Sequence, residues 1–208
     1  MKTKICVVPI FGDYDDLKEP TVISEGWKYI VISDKHYKSD VWKSKVVQLD
    51  GLTNKQKAAY VLTQIHKLLK YDVCCIVGGQ IQINTDLNNY LEDVPFISLD
   101  HPSRDCVYKE AQACILLNKD NPKKIAAQMY RYMEDGLPMG SGMIQTGVTF
   151  RKNTKEVNEF CDKWFFEVIS FSHRDQLSFN YINWKTPINY KTISSDLLNN
   201  EFKINKHR

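Results

Sequence analysis

The chain lacks the signatures that announce most enzyme classes. It has no G-x-S-x-G, P-loop, G-x-G-x-x-G or H-E-x-x-H. This removes the usual serine-hydrolase, phosphate-loop, dinucleotide-binding and zinc-protease readings. Its six cysteines, Cys6, Cys74, Cys75, Cys106, Cys114 and Cys161, form no C-x-x-C pair, and Cys74 and Cys75 are adjacent in an apolar run. That spacing predicts buried free thiols in a reducing compartment, not a disulfide frame or a zinc site. No apolar run approaches the roughly 18 residues needed to span a membrane. The apolar stretch after Met1-Lys2-Thr3-Lys4 is too short for a signal peptide. A cytoplasmic protein without membrane association is expected. With no repeat, linker or low-complexity segment, residues 1–208 are expected to form one domain.

Strong charge is also missing. Lys and Arg total 28 against 25 Asp and Glu, a net +3, and the pI near 8.4 is below the range of about 9 and above seen in dedicated nucleic-acid binders. Two basic clusters, Lys35/Lys38/Lys43/Lys45 and the tail Lys203/Lys206/His207/Arg208, suit either a solvated face or an anionic acceptor. Hydrophobic residues at 43% and charged residues at 25% are ordinary for a globular chain. Aromatics are plentiful at 12% and serve either core filling or a groove in which sugars or bases stack.

The pattern that is present alternates strands and helices. Short apolar, β-branched runs at 5–10, 27–33, 46–49, 72–77, 96–99 and 144–151 predict strands. Helical periodicity covers 53–71, 106–118, 123–135 and 154–170, and begins again at 173. Thr53 with Gln56 three residues later predicts a capping box. The alternation implies an α/β sandwich with a mainly parallel sheet, in which ligands bind beyond the strands' carboxyl ends. Three such ends carry chemistry: Phe11-Gly12-Asp13-Tyr14-Asp15, Gly78-Gly79-Gln80, and Asp100-His101-Pro102-Ser103-Arg104. Gly78-Gly79 reads either as a tight turn or as a place where backbone amides approach a phosphate. Arg104 offers a planar fork for phosphate or carboxylate, or else a surface cap. Asp175, in His173-Arg174-Asp175-Gln176, reads as a helix cap or a functional carboxylate that the helix dipole keeps ionised.

Several of these segments resemble one family. His101-Pro102-Ser103-Arg104-Asp105-Cys106-Val107-Tyr108-Lys109-Glu110-Ala111 is similar to the H-P-x-R-x-C-x-Y-x-E-A signature of a glycosyltransferase-like family. Its plant members are mucilage-related and turgor-regulation-related Golgi proteins, and it has bacterial and phage-borne relatives. Phe11 to Asp15 resembles its F-G-x-Y-D, Ile32-Ser33-Asp34 its T-D, Tyr130 with Asp135-Gly136-Leu137-Pro138 its Y-x-x-x-E-G-x-P, and Arg174 to Phe179 its R-D-Q-x-S-F. The similarity runs over about residues 5–182, leaving 183–208 as a C-terminal extension.

The resemblance implies a single-domain GT-A-like three-layer sandwich with a mainly parallel, mixed sheet. It implies a nucleotide-sugar donor, uridine diphosphate-linked, and an acceptor hydroxyl on a saccharide or on a hydroxymethylated DNA base. Phe11, Gly12, Tyr14, Asp15, Asp34, Gly78, Gly79, Gln80 and Arg174 would hold the donor. Asp175, Gln176, Arg104 and His101 would serve catalysis, and Gly147, Arg151 and Trp164 match a strand-and-helix pattern near the acceptor side. One position departs: Gly78 stands where the family carries an aspartate comparable to the metal-binding acid of GT-A enzymes. A manganese or magnesium ion needs hard oxygen ligands. Either metal use is lost, or Asp100 and other carboxylates take over, or the chain is a non-catalytic nucleotide-sugar or nucleic-acid binding module.

Overall fold

The computed structural model describes residues 2–207; Met1 and Arg208, the last residue of the basic tail, lie outside them. In chain order the elements are β1 (Lys4–Ile10), β2 (Trp27–Ser33), β3 (Lys43–Val46), α1 (Asn54–Leu68), β4 (Val73–Val77), β5 (Ile81–Ile83), β6 (Phe96–Asp100), α2 (Val107–Leu116) and α3 (Pro122–Glu134). Then come β7 (Ile144–Lys152), α4 (Lys155–Ser170), α5 (Gln176–Lys185), β8 (Tyr190–Ile193), α6 (Leu197–Asn200) and β9 (Phe202–Ile204), and a 3-10 turn covers Leu87–Tyr90.

Seven strands form the main sheet in the order β3-β2-β1-β4-β7-β6-β8. Every pairing is parallel except those of β7, which runs against both β4 and β6. The carboxyl ends of β1, β2, β4 and β6 therefore share one edge with the amino end of β7. β1 and β4 are almost continuously apolar because both faces are covered. Side chains alternate between the faces. Ile5, Val7, Cys74 and Ile76 meet the helical layer of Ile65, Phe160 and Trp164, whereas Cys6, Val8, Cys75 and Val77 meet Phe150, Tyr90 and Phe202. Adjacent Cys74 and Cys75 thus belong to opposite cores, and all six cysteines are free and buried. The second face is covered not by long helices but by the β5–β9 pair, the 3-10 turn and α6.

The capping box forms as the spacing predicts: Gln56 N–H donates to Thr53 Oγ1 (3.3 Å) and Thr53 N–H to Gln56 Oε1 (3.0 Å). The third strand lies at Lys43–Val46, three residues before its predicted place. It is the sheet's edge, where lysines discourage pairing with another chain. The apolar residues that suggested 46–49 instead turn inward as Val47 and Leu49. The helix expected from residue 173, α5, starts at Gln176, with Asp175 as its cap, because Asp120 holds Ser172 and His173 outside it.

Arg151 joins three elements. Only 2% exposed, its guanidinium donates to the Leu62 carbonyl of α1 and to Cys161 Sγ of α4 (3.1 Å), and lies over the Phe96 ring (5.8 Å). α1 departs from helical geometry at Gln64 (φ −109°, ψ 20°). A side chain inserted into the helical hydrogen-bond ladder produces such kinks, and Arg151 takes the carbonyl two residues before this one. Arg151→Ala should therefore cost about 3 kcal/mol of stability through the cavity it opens. Denaturant unfolding checks this; a loss under about 1 kcal/mol would deny the guanidinium that role.

Candidate active site

At the β1 end of the shared edge, Gly12 and Asp13 both take positive φ (64° and 56°). Gly12 suits this turn: its φ is left-handed, and a Cβ would displace the Asn54 side chain. Asp34 Oδ2 accepts from Gly12 N–H (3.1 Å), and Asp13 pairs with Lys35. Asp34 therefore braces the loop. Phe11 is buried in the core beneath the Lys57 ammonium (6.0 Å), so it anchors the loop instead of offering a ring to a ligand. Tyr14, 52% exposed, does offer one.

Asp15 is 8% exposed and packs against the next strand end. A Cβ on Gly79 would lie 2.6 Å from Asp15 Oδ2, so only glycine permits this approach. Gly78 N–H donates to Gly147 C=O (2.9 Å), and Ile81 N–H to Gly78 C=O (2.9 Å), which closes a tight turn from Gly78 to Ile81. Gln80 side-chain Oε1 lies 3.1 Å from where a Cβ on Gly78 would stand, so a neutral amide fills the space a side chain at that position would enter.

The His101–Glu110 segment forms a closed network. His101 Nδ1 accepts from the N–H groups of Ser103 (3.3 Å) and Arg104 (3.0 Å). This leaves Nε2 protonated and directed at Glu110 Oε2 (3.3 Å), to which Arg104 also donates (2.7 Å). Glu110 is 6% exposed. Burial opposes its ionisation, but hydrogen bonds from His101 and Cys114, together with the nearby Arg104 guanidinium, prevail and hold its carboxyl below the ordinary range. His101 and Arg104 thus face inward to Glu110, a residue that periodicity marks only as the first turn of a helix.

Across β7, the third group gathers. Asp175 Oδ1 accepts from Gln176 N–H (2.8 Å) and from Thr146 Oγ1 (3.2 Å). Its backbone carbonyl accepts from Nε1 of the fully buried Trp164 (2.9 Å). Gln176 donates to Ile144 C=O (3.3 Å) and accepts from Arg174 (2.9 Å), tying α5 to the start of β7. Burial pushes the Asp175 carboxyl up, against Arg174, the Gln176 amide and Thr146, which pull it down. The helix terminus therefore does not keep this acid in its ordinary range, because loss of hydration outweighs it. Thr146 had no periodic signal to mark it; its place follows from the antiparallel entry of β7.

The edge thus brings together Tyr14, Asp15, Gly78, Gly79, Gln80, Thr146, Gly147, Arg174 and Asp175. Adjacent strands lie about 4.8 Å apart, so β1 to β6 spans roughly 14 Å. Arg151 stands apart: it pairs with Cys74 and Phe96 at the far ends of β4 and β6, about 13 Å along the strand from Gly147. The residues near Gly78 do not suit a divalent cation. Asp100 Oδ1 accepts from Ser195 N–H (2.7 Å), and Asp15 is engaged by His207 (2.7 Å). Among the described residues no cluster of three or more His, Cys, Asp or Glu could hold a metal ion. Grooves of about 430 and 460 Å³ lie elsewhere, one beside Arg131, Phe166 and Lys185 and the other beside Glu19 and Lys38.

An α/β sandwich whose mainly parallel sheet is broken by one reversed strand, with its polar groups at the carboxyl edge, is the architecture of GT-A-type transferases. Residues 27–204 match the TOD1/MUCI70, glycosyltransferase-like domain model, and the chain belongs to that family. The match runs from β2 through β9, so it takes in 183–204 beyond the similarity seen in the motifs and leaves β1 and Phe11 to Asp15 outside it. A search of curated proteins found no match. Among the described residues, no helix is long and apolar enough to cross a membrane.

Glu110→Gln should lower stability by about 2 kcal/mol at neutral pH, since the charged acceptor of the Arg104 guanidinium and the His101 N–H is lost. Because the folded-state value is depressed, the wild-type advantage exists above the ordinary carboxylate range and disappears as pH falls through the folded value. Thermal unfolding of both proteins from pH 7 to 3 checks this; a gap that persists at pH 3 would refute it.

Proposed function

We propose that this chain transfers a sugar from a nucleotide donor, uridine diphosphate-linked, to an acceptor hydroxyl. One observation carries the reading: the close-packed Gly78-Gly79 turn and a carboxyl raised by burial, Asp175, meet at adjoining positions of one sheet edge. The glycine turn lets a donor's diphosphate approach the Gly79 amide, while Tyr14 offers a ring for its base. Asp175, held by Thr146 and the Gln176 amide, accepts the acceptor's proton as the new bond forms to the anomeric carbon. The bond from that carbon to the diphosphate oxygen breaks, and the diphosphate leaves with the electron pair. Arg174 supplies positive charge beside it. No step is assigned to a metal, because the residues at the turn do not suit one.

A second reading, a binding module without catalysis, is favoured by Gly78 alone. Incubation with a panel of uridine and guanosine diphosphate sugars, with saccharide or hydroxymethylated DNA as acceptor, separates the two. An enzyme releases free nucleoside diphosphate and a binder does not. With turnover in hand, EDTA should reduce the rate less than about twofold; abolition by EDTA and rescue by manganese would show that the donor set assigned here is wrong.

Asp175→Asn should fold with an unchanged or slightly higher melting temperature, since asparagine still caps α5 and carries no charge to desolvate. Transfer should fall by about a hundredfold or more. A normal rate would make Asp175 a cap only and move the base elsewhere.

A further inference from the structure

The basic tail leads back across the donor edge. β9 pairs with β5, Phe202 is fully buried, and the Glu201 carboxylate accepts from Thr85 Oγ1 (2.7 Å) and from Tyr90. Asn205 then donates twice to Gln80 C=O, from its backbone N–H (2.9 Å) and from Nδ2 (3.1 Å). Gln80 belongs to the glycine turn itself. Two residues farther on, His207 Nδ1 lies 2.7 Å from Asp15 Oδ1, and its ring sits 4.5 Å from that of Tyr14, inclined at 44°. Two residues of chain reach about 7 Å at most. While Asn205 is pinned, the His207 backbone stays within that distance of it.

The Asp15 carboxylate is otherwise an awkward neighbour for the ligand of the proposed reaction. It touches the Gly79 backbone, where a diphosphate would approach, and like charges close together in a partly buried site repel strongly. Among the described residues no carboxylate-lined cation site stands at the turn, so in this reading the compensating charge comes from side chains. We propose that His207 is a donor-site positioning residue: held on Asp15, its imidazole offsets that carboxylate and lets a nucleoside diphosphate occupy the Gly78-Gly79 turn. The inference rests on the donor reading given above. With a proton on each ring nitrogen, Nδ1–H binds Asp15 and Nε2–H is left to donate to the diphosphate, and the half-exposed ring can shift against Tyr14 while a base stacks there.

Calorimetric titration with uridine diphosphate and with uridine tests the assignment on wild type, His207→Ala, Asp15→Asn and the double variant. His207→Ala should weaken the diphosphate about tenfold and uridine less than about twofold, with an unchanged melting temperature. The double variant should regain most of the lost affinity, because the carboxylate needing compensation is gone. A merely structural role for His207 would give no such recovery. Unchanged diphosphate affinity in His207→Ala would overturn the proposal, as would an equal loss for uridine, which would mean stacking and not charge. Tighter binding would overturn it too, marking the tail as a plug. If wild type binds neither ligand, the donor reading fails and this proposal with it, an outcome distinct from wild-type binding that the variants leave unaltered.

Discussion

A guanidinium buried among carbonyl, sulfur and ring, with no carboxylate partner among the described residues, sets the geometry around it. Arg151 cannot shed its charge, and isolated buried charge is costly. The fold must therefore bring acceptors to it. It does so with the Leu62 carbonyl, two residues before the kink in α1, and with the Cys161 sulfur of α4. This fixes α1 and α4 against β7, whose opposite end carries Gly147 and Thr146 into the site. The residue resembling part of an acceptor-side motif thus acts by registering β7, from the remote edge of the sheet.

The same division of labour recurs at the site. Asp34 holds the Gly12 turn, Glu110 gathers His101 and Arg104, Gln176 fastens α5 to β7, and Trp164 holds the Asp175 carbonyl. These are tie-bars whose partners are protein atoms. The groups left for a ligand are fewer: Tyr14, the Gly79 amide, Arg174, Asp175 and the His207 ring. Family signatures of this kind mark the frame that aims a site at least as much as the groups that would meet substrate.

Legibility in the sequence followed the range of the forces involved. β1, β2 and β4 were readable because burial on both faces demands unbroken apolar runs, and α1 because its capping box is local. β3 was displaced because an edge strand is written in lysines. β5, β8 and β9, only three or four residues each, owe their existence to partners far along the chain and have no local signal. The turn at Gly78-Gly79 was visible, but not the Asp15 carboxylate that makes Gly79 necessary. His207 was invisible for the same reason: its position depends on β9 pairing and on Asn205 meeting Gln80. The carboxyl of Asp175 reads as ionised when only the helix end is considered, whereas its burial is a property of the assembled fold.

All six thiols are closed to solvent, and burial pushes those of Cys74, Cys75, Cys114 and Cys161 up, away from the reactive thiolate. Four belong to the helical-face core and two, Cys6 and Cys75, to the other. A thiol-specific dye is therefore silent on the native protein and counts the layers as they open. Two sulfurs report the β5–β9 side, four the helical side, and the order of their appearance under mild denaturant would reveal which half of the sandwich breathes first.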